Sequence, residues 1–270
     1  MTLPREASCA VSAPAAPGAW PALKAEARRA AAAEPLLGRV LDTAVMQHDD
    51  LAAALGTLVA RKLADAEVGL APLAEIACAA MRAGAAAAAE ADLLAILERD
   101  PAADGVLTPF LHYKGFHALQ AHRVAHWLWN QDRQHAARLI QARVAERLAV
   151  DIHPAVPIGR GVFIDHSTAL VVGETATIGN DVSILQEVTL GGTGKARGDR
   201  HPKVHDGALL AAGAKVLGNI VVGRGAKVGA GSVVLRDVPP CATVAGVPAR
   251  IVGWCRDAIP ALTMAQELPG

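Results

Sequence analysis

The chain contains few aromatic residues and few cysteines. Aromatic side chains make up only 3% of its 270 residues, so bulky rings cannot fill most of its core. The four cysteines, Cys9, Cys78, Cys241 and Cys255, are dispersed and form no CxxC pair. This distribution argues against a disulfide framework and against a cysteine-ligated metal site. We therefore expect a protein of a reducing compartment, the cytoplasm.

An excess of charge of either sign is also missing. The 26 Lys and Arg residues balance 26 Asp and Glu residues, so nothing indicates a general affinity for nucleic acid or for an anionic membrane. No apolar stretch reaches the roughly 20 residues needed to cross a bilayer. No continuous apolar segment follows Arg5 and Glu6, as it would in a secretory signal. The sequence thus predicts no nucleic-acid partner and no membrane association.

What the chain does contain is an aliphatic residue at nearly every sixth position of its C-terminal half. These positions form two runs: Ile158, Ile164, Val172, Ile178, Ile184 and Leu190, then Val204, Leu210, Val216, Val222, Val228 and Val234. A period of six is typical of a parallel β-helix, in which short strands stack coil upon coil. Equivalent aliphatic side chains then form ladders inside a narrow prism.

The period of six is interrupted twice, and both interruptions introduce polar residues. The first adds two residues within the first run and contains Asp165 and His166. The second adds about eight residues between the runs, which must leave the prism as a loop containing Arg200 and His201. Because breaks in a regular array often carry function, we expect the functional residues at these two places.

The chain divides into four segments by composition and periodicity. Residues 1–18 are rich in Ala, Pro and Ser, and we expect them to be disordered. Residues 19–150 have helical periodicity and form the expected helical and oligomerisation domain. Residues 151–252 form the expected β-helix, and residues 253–270 form a C-terminal tail.

Several longer motifs accompany the hexapeptides. In chain order they are Thr108–Arg123 (TPFLHYKGFHALQAHR), His126–Asn130 (HWLWN), Asp151–Pro154 (DIHP), Val172–Thr175 (VGET), Val188–Lys195 (VTLGGTGK), Gly198–Lys203 (GDRHPK) and Gly246–Arg250 (GVPAR). With these motifs the chain resembles the serine O-acetyltransferase family over roughly residues 19–253. The resemblance implies an α+β fold, in which an all-helical N-terminal domain precedes a left-handed parallel β-helix.

The resemblance also implies an activity. Members of the family transfer the acetyl group of acetyl-CoA to the hydroxyl group of L-serine, which gives O-acetyl-L-serine and CoA in the first step of cysteine biosynthesis. Acetyl-CoA is then a co-substrate, and we expect neither a permanently bound cofactor nor a metal. L-Cysteine has the same α-substituents as serine, so we expect it to compete for the site as a feedback inhibitor.

The reaction needs a base, because the hydroxyl group of serine is a poor nucleophile at neutral pH. Histidine suits this role since its ordinary pKa lies near the working pH. The family motif points to His166 as the base. By the same resemblance Asp151 fixes the tautomer of His166 and stabilises the imidazolium ion. The two residues are fifteen positions apart, so neighbouring corners of the prism permit their contact.

Binding of the amino acid requires groups of both charges. Arg200 can hold a carboxylate through two parallel hydrogen bonds. The resemblance assigns the α-ammonium group to Asp100 and Asp165, and a further contact with serine to His201. It also implies contacts with coenzyme A for four residues: Gly192, Thr193, Ala212 and Lys227.

The segment Gly191–Lys195 invites comparison with a phosphate-binding loop. It does not fit that pattern, because Ala196 follows the lysine where Ser or Thr is required. We interpret the segment instead as a flap over coenzyme A.

The resemblance predicts a homo-oligomer, either a trimer or a dimer of trimers. Many family members end in isoleucine, which inserts into the active site of O-acetylserine sulfhydrylase. The sequence ends in Glu267-Leu-Pro-Gly270, without that isoleucine, so we do not expect the usual anchoring in this partner.

Three alternatives stay open at this point. An acetyltransferase for another small hydroxyl substrate, or for a sugar, would use the same prism. A γ-type carbonic anhydrase needs three histidines converging on zinc, and the spacing of the candidates does not suggest that ligand set. These candidates are His153, His166, His201 and His205. The third alternative is a non-catalytic scaffold for a partner enzyme.

Overall fold

The structure is a computed structural model that describes residues 18–194, 197–255 and 259–268. All but the last residue of the expected disordered segment 1–18 lie outside this description, as do Lys195 and Ala196 of the predicted flap. Helices occupy the first half of the chain and parallel strands the second. The prediction of a helical domain followed by a left-handed parallel β-helix is confirmed.

The helical domain consists of short segments rich in alanine, a strong helix former. Its α-helices are α1 (Ala19–Ala33), α2 (Gly38–Leu41), α3 (Leu51–Leu63), α4 (Leu70–Ala80), α5 (Ala86–Arg99), α6 (Leu107–His112), α7 (Lys114–Trp129) and α8 (Gln134–Leu148). Turns of 3₁₀- or π-helix cover Pro35–Leu37, Asp42–Met46 and Met81–Ala85. Helix α7 is buried on almost all sides because it runs between the other helices and the first strands.

The helical stretch Leu70–Arg99 is long and apolar enough to cross a membrane by length and composition alone, contrary to the expectation that no stretch is. Gly84, with a φ of 125°, interrupts this stretch. In its second half, Asp92 and Arg99 are buried and form hydrogen bonds with the prism. These contacts make the stretch part of the folded domain, and its hydropathy reflects its many alanines.

The strands of the β-helix are two to six residues long. They are β1 (Val150–Ile152), β2 (Phe163–Ile164), β3 (Leu170–Val172), β4 (Thr177–Ile178), β5 (Ser183–Ile184), β6 (Thr189–Gly191), β7 (Lys203–Val204), β8 (Leu209–Leu210), β9 (Lys215–Leu217), β10 (Val221–Val222), β11 (Lys227–Val228), β12 (Val233–Val234), β13 (Ala242–Gly246) and β14 (Ala249–Trp254). They form three faces: face A (β1-β3-β6-β9-β12), face B (β4-β7-β10) and face C (β2-β5-β8-β11-β13), with β14 as an antiparallel edge of face C.

A regular coil contains eighteen residues, which is three hexapeptides. Val171 in β3 pairs with Thr189 in β6, and Lys215 in β9 pairs with Val233 in β12, eighteen positions later in each case. Inward side chains of successive coils therefore stack in buried ladders. Several corners have left-handed backbone, which glycine adopts freely and which Asp181 adopts here with a φ of 55°.

The coil lengths show where the extra residues lie. Phe163 in β2 pairs with Ser183 in β5, so this coil contains two residues more than a regular one, at the corner between faces C and A. Thr189 in β6 pairs with Lys215 in β9, so that coil contains eight more, at the corner between faces A and B. Both predicted interruptions are thus confirmed as insertions at corners.

Buried polar contacts lock the helical domain onto the prism. Asp92 in α5 is fully buried and accepts a hydrogen bond from Nη2 of Arg123 in α7 at 2.7 Å. Its other carboxylate oxygen accepts from the backbone N–H of Val162 in the prism at 2.9 Å. Arg99 donates from Nη1 to Oγ of Ser183 in β5 at 3.2 Å. The ion pair between Asp92 and Arg123 lies within the helical domain, and the bonds with Val162 and Ser183 join that domain to the prism.

Residues 259–268, here called the tail segment, fold back over face C. The short helix α9 (Pro260–Thr263) places Ala261 against Leu185 and Leu209. The carbonyl oxygen of Ala261 accepts a hydrogen bond from Oγ of Ser183 at 2.8 Å. The tail segment is therefore packed along the outside of the prism.

The structure contains a disulfide bond between Cys241 and Cys255. The expectation that the cysteines form no disulfide is wrong for this pair. Strands β13 and β14 are antiparallel, and Ala242 pairs with Trp254. This pairing brings the neighbouring positions 241 and 255 together, with 5.0 Å between their Cα atoms, which the spacing of the cysteines does not reveal.

Candidate active site

A pocket of about 380 Å³ lies where the turn between α6 and α7 meets the corner after β2. We call it the α6–α7 pocket. Its walls include Asp100, Tyr113, Lys114, Asp165 and His166. The structure thus brings together three of the residues that the sequence analysis predicts, Asp100, Asp165 and His166.

The two-residue insertion after β2 presents His166 to the pocket. Asp165 still belongs to the regular coil, because its backbone N–H donates to the carbonyl oxygen of Ile184 in the next coil at 2.8 Å. His166 and Ser167 then adopt left-handed backbone, with φ of 55° and 63°. Such backbone is costly for residues other than glycine and is frequent at functional sites. The side chain of His166 is 73% exposed, so a substrate can reach the imidazole.

The start of helix α7 clamps this corner. A Cβ atom added to Gly115 would lie only 2.0 Å from the carbonyl oxygen of Ile164, so the helix backbone rests directly on the strand that precedes Asp165. On the other side of His166, Nζ of Lys114 donates to Oγ1 of Thr168 at 2.5 Å. The position of His166 is therefore fixed by the helical domain as well as by the prism.

The α6–α7 pocket is acidic. Burial raises the pKa of Asp165, and the nearby charge of Asp100 raises it further, while His166 opposes the shift. Oδ1 of Asp165 lies 3.7 Å from Nε2 of His166. Burial and the neighbouring carboxylate of Asp100 raise the pKa of Tyr113 to about 12. Two carboxylates that share a partly buried pocket favour the binding of a cation.

The structure does not place Asp151 in hydrogen-bond contact with His166. Oδ1 of Asp151 accepts from Nε2 of Gln141 in α8 at 2.6 Å. Asp151 pairs with Val171 on face A, and the backbone N–H of Ala169 donates to the carbonyl oxygen of Ala149 at 2.7 Å. Asp151 thus lies one coil away from the turn that carries His166. The role predicted for this carboxylate stays a prediction.

Arg200 and His201 lie at a different corner, the one between faces A and B. Nη2 of Arg200 donates to Oε2 of Glu174 at 2.8 Å, and this hydrogen bond lowers the pKa of Glu174. Nδ1 of His201 accepts from the backbone N–H of Thr175 at 3.1 Å. The imidazole packs under Gly173, where an added Cβ would lie 2.1 Å from the ring. Burial lowers the pKa of His201.

Face A separates the two predicted parts of the site. Among the residues that the structure describes, neither Arg200 nor His201 forms a hydrogen bond with Asp100, Asp165 or His166. A single chain therefore carries the acidic half of the predicted site at one corner and the basic half at the next.

Several residues around these corners received no role from the sequence. Glu174 and Thr175 orient Arg200 and His201, and both stand in the motif VGET, which is the signal that could have identified them. Burial lowers the pKa of the nearby His153, which stands in the motif DIHP. Tyr113, in the wall of the α6–α7 pocket, belongs to the long motif Thr108–Arg123.

The four residues predicted to contact coenzyme A fall into two groups. Gly192 and Thr193 begin the inserted loop after β6, and Thr193 lies close to Gly218 of the following coil. Lys227 lies on face C and Ala212 lies at the edge of this face, both under the tail segment.

Lys227 is almost completely covered by the tail segment, with 8% of its surface exposed. Its Nζ donates to the carbonyl oxygens of Ala265 at 3.1 Å and Glu267 at 2.5 Å. Ala212 packs against the cluster that Ala261 of the same segment forms with Leu185 and Leu209. The lysine that the sequence predicts to contact coenzyme A is therefore occupied by the chain itself.

Within residues 18–194, 197–255 and 259–268, no group of three or more His, Cys, Asp or Glu side chains is arranged to hold a metal ion. His166 and His201 stand at different corners, and His201 is bonded to Thr175.

Two family comparisons match the chain in both domains. The family described as serine acetyltransferase, N-terminal, matches residues 19–121, and the bacterial transferase hexapeptide family matches residues 201–236. The serine acetyltransferase of Escherichia coli K12 is 52% identical over 253 residues, which is 93% of each chain.

Solved structures resemble the chain to a similar extent. A serine acetyltransferase in complex with cysteine has a TM-score of 0.90 and 48% identity, covering 92% of this chain and 98% of the other. The Brucella abortus enzyme in complex with coenzyme A has a TM-score of 0.85 and 46% identity, with coverage of 87% and 95%. The soybean enzyme in complex with serine has a TM-score of 0.85 and 52% identity, with coverage of 87% and 97%.

Proposed function

Because this chain belongs to the serine acetyltransferase family, we propose that it transfers the acetyl group of acetyl-CoA to the hydroxyl group of L-serine, with His166 as the base. The products are O-acetyl-L-serine and CoA, in the first step of cysteine biosynthesis from serine. The observation that carries the assignment of the site is the meeting of an exposed histidine with two carboxylates, Asp100 and Asp165, in the α6–α7 pocket. A zinc lyase or a scaffold without activity does not account for this family membership.

The chemistry starts at the imidazole of His166. A neutral imidazole accepts the hydroxyl proton while the serine oxygen attacks the thioester carbonyl carbon, and a tetrahedral intermediate forms. The C–S bond then breaks, and the imidazolium returns the proton to the departing thiolate. The acetyl group passes directly from one substrate to the other, so no acetylated enzyme is needed.

Asp151 is the proposed partner of the second ring nitrogen of His166. One of its carboxylate oxygens is held by Gln141, which fixes the orientation of the carboxylate. The other oxygen accepts no hydrogen bond from the residues that the structure describes, and we propose that it receives an imidazole N–H of His166. An imidazolium that forms in the transition state is stabilised by this negative charge.

Recognition of serine requires both corners of the prism. Asp100 and Asp165 receive the α-ammonium group in the acidic α6–α7 pocket. Arg200, held by Glu174, receives the α-carboxylate, with His201 beside it. Because these two corners are separated by face A in one chain, we propose that the enzyme is a homotrimer, in which Arg200 of one subunit faces His166 of another. Two such trimers can pair through the helical domains.

Inhibition by L-cysteine follows from the same recognition. Cysteine presents the same ammonium and carboxylate groups as serine, so it competes at Asp165 and Arg200. A related enzyme has been solved in complex with cysteine, which supports this inhibitor. We propose that the reaction takes place in the cytoplasm.

Coenzyme A is proposed to bind between the inserted loop of one subunit and face C of another, in contact with Gly192, Thr193, Ala212 and Lys227. The complex of a related enzyme with coenzyme A supports acetyl-CoA as the co-substrate. The tail segment covers Ala212 and Lys227, so it has to move when coenzyme A reaches them.

Removal of residues 256–270 is expected to lower the KM for acetyl-CoA. The truncation keeps the Cys241–Cys255 disulfide but deletes the tail segment, which frees the ammonium group of Lys227. A site that is open in only part of the molecules binds more weakly in proportion to that fraction, and we expect a change of about fivefold. The KM for serine should not change. A higher KM for acetyl-CoA would show instead that the tail segment helps to bind it.

The activity is tested by release of CoA thiol from acetyl-CoA. Serine should support release with saturation kinetics, whereas threonine, homoserine and a galactoside should support little. In the absence of serine, no acetylated enzyme should accumulate. Thiol release with the galactoside but not with serine would reject the proposed function.

A further inference from the structure

We propose that Tyr113 is a positioning residue for the substrate: its hydroxyl group holds the carboxylate of Asp100 so that Asp100 and Asp165 together receive the α-ammonium group. This inference rests on the proposed function and deepens it. The sequence indicates no role for Tyr113, although the residue lines the same pocket as Asp100, Asp165 and His166.

The backbone directs Tyr113 toward the pocket. Helix α6 ends at His112 and helix α7 begins at Lys114, so Tyr113 is the single residue between them. It has extended backbone, with φ of −78° and ψ of 107°, and the chain changes direction at this point. Its N–H donates to the carbonyl oxygen of Pro109 at 3.2 Å, and its own carbonyl oxygen accepts from the N–H of His117 at 3.1 Å. Both neighbouring helices thus hold the residue in place.

The side chain of Tyr113 is half-buried and packs against the hydrophobic core. Gly115, two residues later, lies against the carbonyl oxygen of Ile164, so the distance between Tyr113 and the Asp165 corner is fixed as well. The aromatic ring therefore reaches the pocket from a rigid support. A residue on such a support can restrict the orientation of a neighbouring carboxylate.

The carboxylate of Asp100 accepts a hydrogen bond within the chain through one oxygen, and Asp100 also lines the α6–α7 pocket. Oδ1 accepts a hydrogen bond from the backbone N–H of Ala102 at 2.9 Å. Tyr113 lines the same pocket as Asp100, so its hydroxyl group is placed to supply a second donor to the carboxylate. Burial and the charges of Asp100 and Asp165 raise the pKa of this hydroxyl group to about 12. Tyr113 therefore stays protonated and remains a donor over the working range of pH.

A neutral donor is well suited to this position. A lysine in its place would also hold Asp100, but its positive charge would occupy the site that the substrate ammonium needs. The nearby lysine, Lys114, donates to Thr168 on the other side of the corner. Tyr113 orients Asp100 without neutralising it, so the two carboxylates keep their attraction for a cation.

The first test is the variant Tyr113→Phe, which removes only the hydroxyl group. We expect the KM for serine and the inhibition constant for cysteine each to rise about tenfold, because a hydrogen bond to a charged group is lost. The kcat and the KM for acetyl-CoA should stay within about twofold of the parent values, since the reacting atoms are not touched. As a matched ligand control, inhibition by 3-hydroxypropionate, which lacks the ammonium group, should not change.

A double-mutant cycle with Asp100→Asn tests whether Tyr113 acts through Asp100. If it does, Tyr113→Phe should have almost no effect on the KM for serine once Asp100 is replaced. Equal effects in both backgrounds would overturn the inference, because the hydroxyl group would then act by another route.

A second readout uses the fact that Tyr113 is the only tyrosine in the chain. In enzyme labelled with 3-fluorotyrosine, the single ¹⁹F resonance should shift on addition of serine and should not shift on addition of 3-hydroxypropionate. An unshifted resonance, or a Tyr113→Phe variant with a lower kcat and unchanged KM for serine, would overturn the inference. If the parent enzyme releases no thiol with serine, the proposed function itself fails, which is a different result.

Discussion

The variant His166→Asn is expected to lose about a thousandfold in kcat, because general base catalysis by a positioned side chain contributes roughly 10²–10⁴-fold. Asparagine keeps polarity and similar size but cannot accept the serine proton. The KM for acetyl-CoA should change little, since His166 is not among the residues proposed to contact coenzyme A. The measurement is steady-state thiol release at saturating serine and acetyl-CoA.

The matched control for this variant is His135→Asn. His135 lies in the first turn of α8 and is exposed, and it is not among the residues of the proposed site. The same chemical change there should leave kcat unaltered. If His166→Asn kept more than about a tenth of the parent kcat, His166 would not be the base, because even weak general base catalysis contributes more than that.

Mixing two defective variants is expected to restore activity that neither has alone. His166→Asn removes the base, and Arg200→Ala should raise the KM for serine about a hundredfold, because a charged partner in the site is lost. If each site combines His166 of one subunit with Arg200 of another, a mixed trimer contains some sites with both residues intact. Random assembly of equal amounts gives intact pairs in about a quarter of the sites.

The measurement is thiol release at low serine by trimers assembled from both variants, either by co-expression with two affinity tags or by refolding together. The matched control combines His166→Asn with Asp165→Asn, two changes at the same corner, and should restore nothing. Failure of the first mixture, with mixed oligomers present, would mean that His166 and Arg200 act within one chain. The proposed subunit arrangement would then be wrong.

The architecture was predictable because the period of six has a direct geometric meaning. Aliphatic residues recur once per face, and three faces make the coil of eighteen residues that the strand pairing shows. The same spacing located the two insertions, since residues added to the repeat of six must leave the prism at a corner. Asp165 and His166 could be placed at one corner and Arg200 and His201 at another for this reason.

Other features depend on contacts between residues that are distant in sequence. Tyr113 shares a pocket with Asp100 only because the turn between two helices is pressed against the prism at Gly115. The disulfide between Cys241 and Cys255 depends on an antiparallel strand pairing that the repeat of six residues does not predict. Side-chain partners are no more predictable: spacing permits a contact between Asp151 and His166, whereas Asp151 bonds to Gln141 in this structure.

The tail segment was the least predictable part of the chain. Its sequence has neither hexapeptide nor helical periodicity, and only the packed structure shows that its carbonyl oxygens take up the ammonium group of Lys227. Backbone carbonyls are present at every residue, so their use as acceptors leaves no mark in the sequence.

The insertion of eight residues at one corner leaves the coils above and below it in the same register. Lengthening such a corner costs little, because the entropy of closing a loop grows only with the logarithm of its length. Gain or loss of one residue inside a strand would instead turn the following side chains of that strand from the inside of the prism to the outside, or the reverse. An engineer who wants a different acyl acceptor can therefore exchange whole corner loops as cassettes, provided that each flanking strand keeps its starting residue.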